Sequence, residues 1–311
     1  MMNIVFFGSG NFAVKVLESI DRRAFPISLV VTQPDRKKGR HLHLGATPVK
    51  TFAFDHGMNI FQPEDVNSKE SLEMLKNTRA DIFLVVSYGR ILSSQLLAVP
   101  RIMGINIHSS LLPKYRGAAP VNQALILGEK TTGVTFIRMN AAMDRGDVLL
   151  QKAIKIGRHD TTPVLDHKLA LLASQYINKL LAAIEHGRYR LKKQRENAVS
   201  YAALMQKQDG LIRWQETPTE IYNRFRGCYG WPGTFTHFRG KILKILELKP
   251  GRRWTGAKPG TIVKAEDNAL VVACRRGTVV ISEVLPESHR QMPVSSFLAG
   301  HHVKVGDILG A

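Results

Sequence analysis

The segment IVFFGSGNFA, residues 4–13, runs from four consecutive apolar residues through a glycine-rich turn into an amphipathic stretch. Such a short apolar run is typical of a strand buried on both faces, and the glycines allow a tight turn into a helix. Residues 8–13 also fit G-x-G-x-x-[GA], a pattern that holds the pyrophosphate of a dinucleotide at a helix N-terminus. A dinucleotide site also needs an acidic residue at the end of the second strand, where this chain has Thr32-Gln33-Pro34. The segment therefore favours a plain strand–turn–helix unit over a dinucleotide site.

The same alternation of apolar runs and amphipathic stretches continues along the first half of the chain. Strands are predicted at residues 28–31, 81–86, 104–107, 133–138 and 147–150, and helices at 12–20, 48–55, 68–76, 120–127 and about 162–185. Strands joined by helices imply right-handed crossovers and a parallel sheet. We predict an α/β fold with a doubly wound, mostly parallel, Rossmann-like sheet. Ligands in such sheets bind beyond the carboxyl ends of the strands.

The last third of the chain has a different pattern, in which short strands are separated by turn residues. The predicted strands are residues 234–238, 241–248, 261–263, 269–274 and 278–284. Five short strands at this spacing favour a small OB-like β-barrel, which is a common platform for nucleic acids. Because 311 residues exceed the usual size of a single core, we expect a first domain over residues 1–187, a linker over 188–208 and the barrel over 209–311.

Composition restricts the class of partner and the compartment. The formal net charge is +19, which suggests a polyanionic partner. Two cysteines cannot form a disulfide framework, and a reducing compartment is expected. The apolar start of the chain is shorter than the roughly 18 residues of a membrane span and has no basic segment before it. We expect a cytoplasmic protein without membrane contact.

Residues 104–120 are the richest in chemistry-bearing side chains. Asn106 and His108 are two apart at the end of a predicted strand, so they share one face at the ligand-binding edge. An amide donor can stabilise an oxyanion, and an imidazole beside it can carry a proton. Asp144 lies in a loop that could return to the same edge and orient the ring of His108.

A structural role, a hydrolase triad and a metal site compete with this interpretation of the histidines. A single histidine beside an apolar strand is more often structural than catalytic. A serine hydrolase triad would need a G-x-S-x-G elbow, which the chain lacks. The histidines at 41, 43, 301 and 302 are not accompanied by a C-x-x-C or H-E-x-x-H motif, so no metal is predicted.

Three motifs around these residues resemble the 10-formyltetrahydrofolate-dependent formyltransferase family. They are Asn106-x-His108-x-Ser110-Leu111-Leu112-Pro113, then Arg116-Gly117-Ala118-Ala119-Pro120, then Met143-Asp144-x-Gly146-Asp147. Segments along nearly the whole chain resemble the branch of the family that acts on initiator tRNA, namely residues 32–36, 47–50, 86–92, 230–233, 259–262 and 306–307.

The resemblance implies a reaction and a set of catalytic residues. A formyl group would pass from 10-formyltetrahydrofolate to the α-amino group of methionine on initiator tRNA, for translation initiation, by direct attack of the amine. Asn106, His108 and Asp144 would be catalytic, and no metal would be needed. The folate would be bound by Arg90, Ile91, Leu92, Ser110, Leu111, Leu112, Pro113, Asn140 and Asp144.

The resemblance also implies where tRNA would bind. A basic loop over residues 33–45 would enter the acceptor-stem groove, and the second domain would contact the phosphate backbone. The candidate contacts are Arg36, Lys37, Lys38 and Arg40 in the loop and Arg252, Arg253, Arg275 and Arg276 in the second domain. We expect a monomer. The alternatives are a folate-dependent formyltransferase acting on an amino-sugar nucleotide or another small amine, and a non-catalytic RNA-binding protein.

Overall fold

A computed structural model describes residues 1–38, 43–251, 256–266 and 268–310. The strands are β1 (Ile4–Gly8), β2 (Ile27–Val31), β3 (Arg36–Lys38), β4 (His43–Gly45), β5 (Ile60–Phe61), β6 (Ile82–Val86), β7 (Met103–His108), β8 (Arg116–Gly117), β9 (Thr131–Arg138), β10 (Val148–Lys155), β11 (Tyr201–Ala202), β12 (Thr234–Phe238), β13 (Lys241–Gly251), β14 (Ile262–Glu266), β15 (Ala269–Cys274), β16 (Gly277–Pro286) and β17 (Met292–Pro293). The α-helices are α1 (Asn11–Ser19), α2 (Pro48–Asp55), α3 (Lys69–Asn77), α4 (Ser94–Leu97), α5 (Pro120–Ile126), α6 (Thr162–Glu185), α7 (Pro218–Gly227) and α8 (Val294–His301).

The chain divides into two compact units. The first comprises Met1–Pro120, Thr131–Lys155 and Val164–Ala203, and the second comprises Val121–Lys130, Ile156–Pro163 and the chain from Leu204 onward. The first unit thus takes in most of the stretch 188–208. No helix in the described part of the chain is both long and apolar enough to cross a membrane.

The first unit is built on a seven-stranded sheet in the order β10-β9-β7-β6-β1-β2-β5. The five strands from β7 to β5 are parallel, and β9 and β10 continue the sheet antiparallel. The predicted mostly parallel, Rossmann-like sheet is confirmed. Since β2 and β6 flank β1 on opposite sides, the strand order reverses at β1, and ligands of doubly wound sheets bind at such a reversal.

The amino-terminal segment folds as the predicted strand–turn–helix unit. All five residues of β1 are buried. A Cβ atom on Gly8 would lie 2.7 Å from the Cβ atom of Ala13, whereas Gly10 has no atom within 4 Å of that position. The Ser9 hydroxyl accepts a hydrogen bond from the Gln33 backbone N–H at 3.3 Å. The close approach of strand and helix therefore accounts for Gly8 without a dinucleotide.

The second unit contains an antiparallel sheet in the order β12-β13-β16-β15-β14, with β17 paired to β16. Each of the five main strands contributes side chains to one core, which α7 and α8 complete with Ile221, Phe225, Val294 and Phe297. The predicted α/β domain followed by a small β domain is confirmed.

One strand of this sheet is longer than predicted. Lys249-Pro250-Gly251 is the end of β13, paired with residues 278–280 of β16, and not a turn. Strand β12 pairs with β13 only as far as Ile245, so the last residues of β13 form an edge. Proline is tolerated on an edge strand because its missing N–H faces away from the neighbouring strand.

Candidate active site

Two polar side chains lie at the carboxyl end of β7, inside the first unit. Asn106 pairs in register with Val85 of β6 and Ile137 of β9, and His108 pairs with Thr135 of β9. The two-residue period of a strand puts both side chains on one face. His108 is only 6% exposed, and Asn106 is partly buried.

Asp144 completes a cluster with these two residues. It lies in the loop between β9 and β10, and its side chain is largely buried. Its Oδ1 accepts a hydrogen bond from Nδ2 of Asn106 at 3.2 Å and lies 3.7 Å from Nδ1 of His108. Its Oδ2 accepts a hydrogen bond from the Gly117 N–H at 2.8 Å. The fold therefore brings together the three residues predicted to be catalytic.

The two ring nitrogens of His108 have different surroundings. Nε2 lies 2.9 Å from the backbone carbonyl of Tyr115. Since a carbonyl can only accept, Nε2 carries a hydrogen, and Nδ1 is the nitrogen that faces Asp144. Tyr115 is fixed in turn, because its N–H donates to Oγ of Ser200 at 2.9 Å. The hydrogen bond of Nε2 thus orients the imidazole, and Nδ1 faces Asp144 at 3.7 Å, which is longer than a hydrogen bond.

The turn that follows β7 is held by two hydrogen bonds, one buried and one partly buried. Oγ of Ser110 donates to the Lys114 carbonyl at 2.6 Å, and Oγ1 of Thr135 donates to the Ser110 carbonyl at 2.6 Å. Ser110 and Leu112 are buried, whereas Leu111 and Pro113 are partly exposed. Folate contacts by residues 110–113 remain predictions, and the Ser110 hydroxyl already stabilises the turn.

The segment after β6 lines an open cleft of about 380 Å³. The lining residues are Glu64, Asp65, Val66, Asn67, Gly89, Arg90 and Ile91. Ile91 is 68% exposed, whereas Leu92 is buried in the core beside the sheet. Asn67 links the two sides of the cleft by hydrogen bonds. Its Nδ2 donates to the Ile91 carbonyl at 3.0 Å, and its Oδ1 accepts from the Ser93 N–H at 2.8 Å. No motif in the sequence singles out Asn67.

Asn140 and Tyr88 occupy the loops near these strand ends. Oδ1 of Asn140 accepts from the Ala142 N–H at 3.0 Å, so this side chain shapes the loop that leads to Asp144. Tyr88 is 2% exposed, and burial raises the pKa of its hydroxyl to about 12. The Tyr88 hydroxyl therefore stays protonated at neutral pH.

The candidate tRNA contacts are only partly within the described residues. Arg36 is exposed at the start of β3, which pairs with β4 as a hairpin through the backbones of Lys37 and Lys38. Arg40, Arg252 and Arg253 lie outside the described residues.

Arg275 and Arg276 occupy the turn between β15 and β16. Nη2 of Arg275 lies 3.1 Å from Oε2 of Glu220, so part of its charge is balanced by that ion pair. Arg276 is exposed, with a positive φ of 58°. All the tRNA assignments remain predictions.

Sequence reasoning missed the residues that support the Asp144 loop. Arg116 is buried although it is charged, and it is hydrogen bonded to Gln194 and Glu196. Gln194 and Glu196 lie in the stretch predicted to be a linker. The signal that could have found them is the arginine of the Arg116-Gly117-Ala118-Ala119-Pro120 motif, because a buried guanidinium requires partners.

No group of three or more metal-ligating side chains is found among the residues that the structure describes. Both cysteines are free and buried. Burial raises the pKa of Cys228 and of Cys274 to about 11, so both are protonated thiols at neutral pH.

Comparison with known proteins agrees with the fold and the motifs. The formyl transferase family model matches residues 2–181, and the model of the formyl transferase C-terminal domain matches residues 204–302. The chain is thus a formyl transferase of the two-domain class. A methionyl-tRNA formyltransferase of Caldanaerobacter subterraneus is 38% identical over 99% of this chain and 100% of its own length. One of Geobacter metallireducens is 38% identical over 99% of both chains. The chain belongs to the methionyl-tRNA formyltransferase family.

Solved structures show the same fold at lower identity. The N-formyltransferase of Helicobacter canadensis, in complex with folinic acid and dTDP-3-aminofucose, is 19% identical with a TM-score of 0.70. That match covers 92% of this chain and 100% of the other. HypX of Aquifex aeolicus, in complex with tetrahydrofolic acid, is 16% identical with a TM-score of 0.67, over 98% of this chain and 48% of its own.

Proposed function

We propose that this enzyme transfers a formyl group from 10-formyltetrahydrofolate to the α-amino group of methionine on initiator tRNA. The observation that carries the proposal is the cluster of Asn106, His108 and Asp144, with contacts of 3.2 and 3.7 Å at the carboxyl end of β7. The full-length relatives named as methionyl-tRNA formyltransferases support the choice of acceptor. Their name is consistent with a role in translation initiation.

The cleft that follows β6 has features that fit a folate as formyl donor. The cleft that includes residues 89–91 has an exposed apolar side chain in Ile91 and charged side chains in Arg90, Glu64 and Asp65. Flat heterocycles bind where apolar walls meet a few fixed polar groups. We place the pterin near Arg90, Ile91 and the backbone of Leu92, in the cleft whose other side is lined by residues 64–67. As the family resemblance implies, the loop from Asn140 to Asp144 would complete the folate site. The folate-bound structural neighbours support this cosubstrate.

Transfer requires a neutral amine and a place for negative charge. An α-amine has a pKa of about 8, so a usable neutral fraction exists at pH 7. Attack of the amine on the formyl carbon moves an electron pair onto the formyl oxygen. Nδ2 of Asn106 has two hydrogens, and only one faces Asp144. The other would donate to that oxygen, which is worth about 3 kcal/mol for a well-placed donor.

His108 and Asp144 would manage the protons. With Nε2 donating to the Tyr115 carbonyl, Nδ1 is the nitrogen that exchanges a proton in the site. A ring that is protonated on both nitrogens can donate from Nε2 to the Tyr115 carbonyl. At the same time it can donate from Nδ1 to the formyl oxygen or to Asp144. Asp144 would stabilise that charged ring and help pass the proton lost by the amine to N10 of the departing folate. Collapse restores the carbonyl and breaks the bond to N10, so the mechanism needs no covalent enzyme intermediate.

The positive charge of the chain is assigned to tRNA binding. Exposed arginines such as Arg36 and Arg276 would contact phosphates, and such contacts supply affinity without reading sequence. A monomer in the cytoplasm is consistent with this function and remains part of the proposal.

A comparison of acceptors tests the proposal. Labelled 10-formyltetrahydrofolate is offered with initiator Met-tRNA and, separately, with amino-sugar nucleotides such as the one named in the Helicobacter complex. We expect label in the tRNA product only. Transfer to the amino sugar and none to Met-tRNA would favour the alternative acceptor. Binding of tRNA without transfer to any amine would favour a non-catalytic RNA-binding protein.

A further inference from the structure

Arg116 is a charged residue with almost no exposure to solvent, since its side chain is 1% exposed. Its Nε and Nη2 donate to Oε1 of Gln194 at 3.1 and 2.8 Å. Its Nη1 and Nη2 donate to the carboxylate of Glu196 at 3.2 and 2.7 Å. The ion pair raises the pKa of the guanidinium and lowers the pKa of the Glu196 carboxyl. The guanidinium therefore stays charged and holds the side chains of Gln194 and Glu196 by hydrogen bonds.

Gln194 connects the Arg116 guanidinium to the catalytic loop. Its Nε2 donates to the backbone carbonyl of Asp144 at 2.7 Å and to that of Gly146 at 2.8 Å. Both donor hydrogens of the amide are therefore used on the loop, and its oxygen is used on Arg116. Gln194 holds Arg116 on one side and the Asp144 loop on the other.

The Asp144 loop needs such a support. Asp144 has a φ of 54°, in the left-handed region that residues other than glycine seldom occupy. A backbone of this kind persists where its surroundings hold it, and it is often found at active sites. The Asp144 side chain is held by Gly117, whose N–H donates to Oδ2. Gly117 follows Arg116 in β8, which pairs with β11 at Tyr201 and Ala202.

We propose that Gln194 is a positioning residue of the active site, which fixes the distance from Asp144 to His108 by clamping the Asp144 backbone against Arg116. The inference rests on the proposed function and deepens it. On this inference, the residues around position 194 help to hold the active-site loop of the first unit in place. The contacts of 3.2 Å to Asn106 and 3.7 Å to His108 depend on where this loop sits. A displacement of the loop by about 1 Å is expected to lower the catalytic rate roughly a hundredfold.

The kinetic test uses Gln194→Glu. This variant keeps an oxygen for Arg116 but replaces the amide donor with an oxygen that faces two carbonyl oxygens. We expect kcat for formylation of Met-tRNA to fall about 10- to 100-fold, with KM for both substrates within about threefold. Gln208→Glu is the matched control, because it makes the same charge change at an exposed glutamine, and it should leave kcat unchanged. An unchanged kcat in Gln194→Glu overturns the inference.

A double-mutant cycle separates positioning from a general effect on the fold. If Gln194 acts through Asp144, then Gln194→Glu should lower kcat no further in an Asp144→Asn background. Independent, multiplicative losses overturn the inference. Gln194→Met, which keeps the length of the side chain without the hydrogen bonds, repeats the cycle should the glutamate variant fold poorly.

A third measurement does not depend on activity. The Gly117 amide donates to Asp144, so its hydrogen exchange should become faster in Gln194→Met than in the wild-type protein and stay unchanged in Gln208→Glu. Unchanged exchange at Gly117 overturns the inference. A wild-type protein that does not formylate Met-tRNA overturns the proposed function, and the exchange experiment still decides whether Gln194 holds the loop.

Discussion

Oδ1 of Asp144 lies 3.7 Å from Nδ1 of His108, although the two residues belong to a loop and to a strand that are 36 positions apart in the chain. The opposite side of the ring is fixed, since Nε2 is 2.9 Å from the Tyr115 carbonyl. The histidine therefore presents one defined nitrogen to the carboxylate. This relationship supports a proton-transfer role for the pair in the proposed reaction.

Replacement of Asn106 by alanine should slow the chemical step. Its second amide hydrogen is the donor assigned to the formyl oxygen, and loss of one such donor typically costs about 10²–10³ in kcat. We expect Asn106→Ala to lower kcat within that range and to leave the Kd for tRNA within about twofold. Steady-state formylation and a filter-binding titration measure the two quantities. A loss confined to KM would contradict the assignment, because it would mean that Asn106 only binds substrate.

Removal of the charge at Arg36 should reduce the salt dependence of tRNA binding. Arg36 follows the carboxyl end of β2, whereas the exposed Arg79 lies just before the amino end of β6, at the opposite edge of the sheet. For Arg36→Ala we expect the slope of log K against log salt to fall by about one. Arg79→Ala is the matched control and should leave the slope unchanged. Equal slopes in the wild-type protein, Arg36→Ala and Arg79→Ala would show that Arg36 is not part of the tRNA interface.

Two glycines of the amino-terminal turn should respond differently to alanine. A Cβ atom at residue 8 would come within 2.7 Å of both the Ala13 Cβ and the Phe6 ring. We expect Gly8→Ala to lower the free energy of unfolding by about 1–3 kcal/mol. Gly10 has open space around it and a φ of −91°, so Gly10→Ala should change stability by less than about 1 kcal/mol. Denaturant unfolding compares the two variants, and equal losses would contradict the packing role of Gly8.

Asp166, in α6, should oppose folding at neutral pH. Burial raises the pKa of this carboxyl from 3.8 to about 6, while the charge of His167 acts in the opposite direction. Between these two pKa values the folded state holds the proton that the unfolded state has lost, so stability falls as the pH rises through this window. Asp166→Asn should therefore raise the free energy of unfolding at pH 8 by about 1–2 kcal/mol.

The pH dependence provides the control for Asp166→Asn. The gain should shrink as the pH falls through this window and disappear below about pH 3, where the wild-type carboxyl is protonated in both states. Unfolding curves at pH 3 and pH 8 measure the difference. A gain of equal size at both pH values would show that the cause is not the ionisation of Asp166.

The sheet and the face shared by Asn106 and His108 are predictable because both depend on local periodicity. Apolar runs indicate buried parallel strands, and a spacing of two residues fixes the face of a strand. The nearness of Asp144 follows from the position of its loop, but its contacts with Gly117 and Asn106 arise from tertiary structure.

The supports of the cluster could not be predicted, and the reason is physical. The acceptor for His108 is a backbone carbonyl, at Tyr115, and any residue type could supply it. Gln194 lies in a polar, basic stretch that is typical of a linker, and its partner Asp144 is 50 positions away. The periodicity of residues 90–92 likewise does not reveal that Ile91 is exposed and Leu92 buried, since both are apolar.

The most direct test of the central claim is the single-turnover rate of formyl transfer to initiator Met-tRNA by His108→Ala, measured beside the Kd for the same tRNA. If His108 handles the proton and the developing charge, the rate should fall by at least about 10²-fold while the Kd stays within about twofold of the wild-type value. A rate equal to that of the wild-type protein would contradict the role given to Asn106, His108 and Asp144.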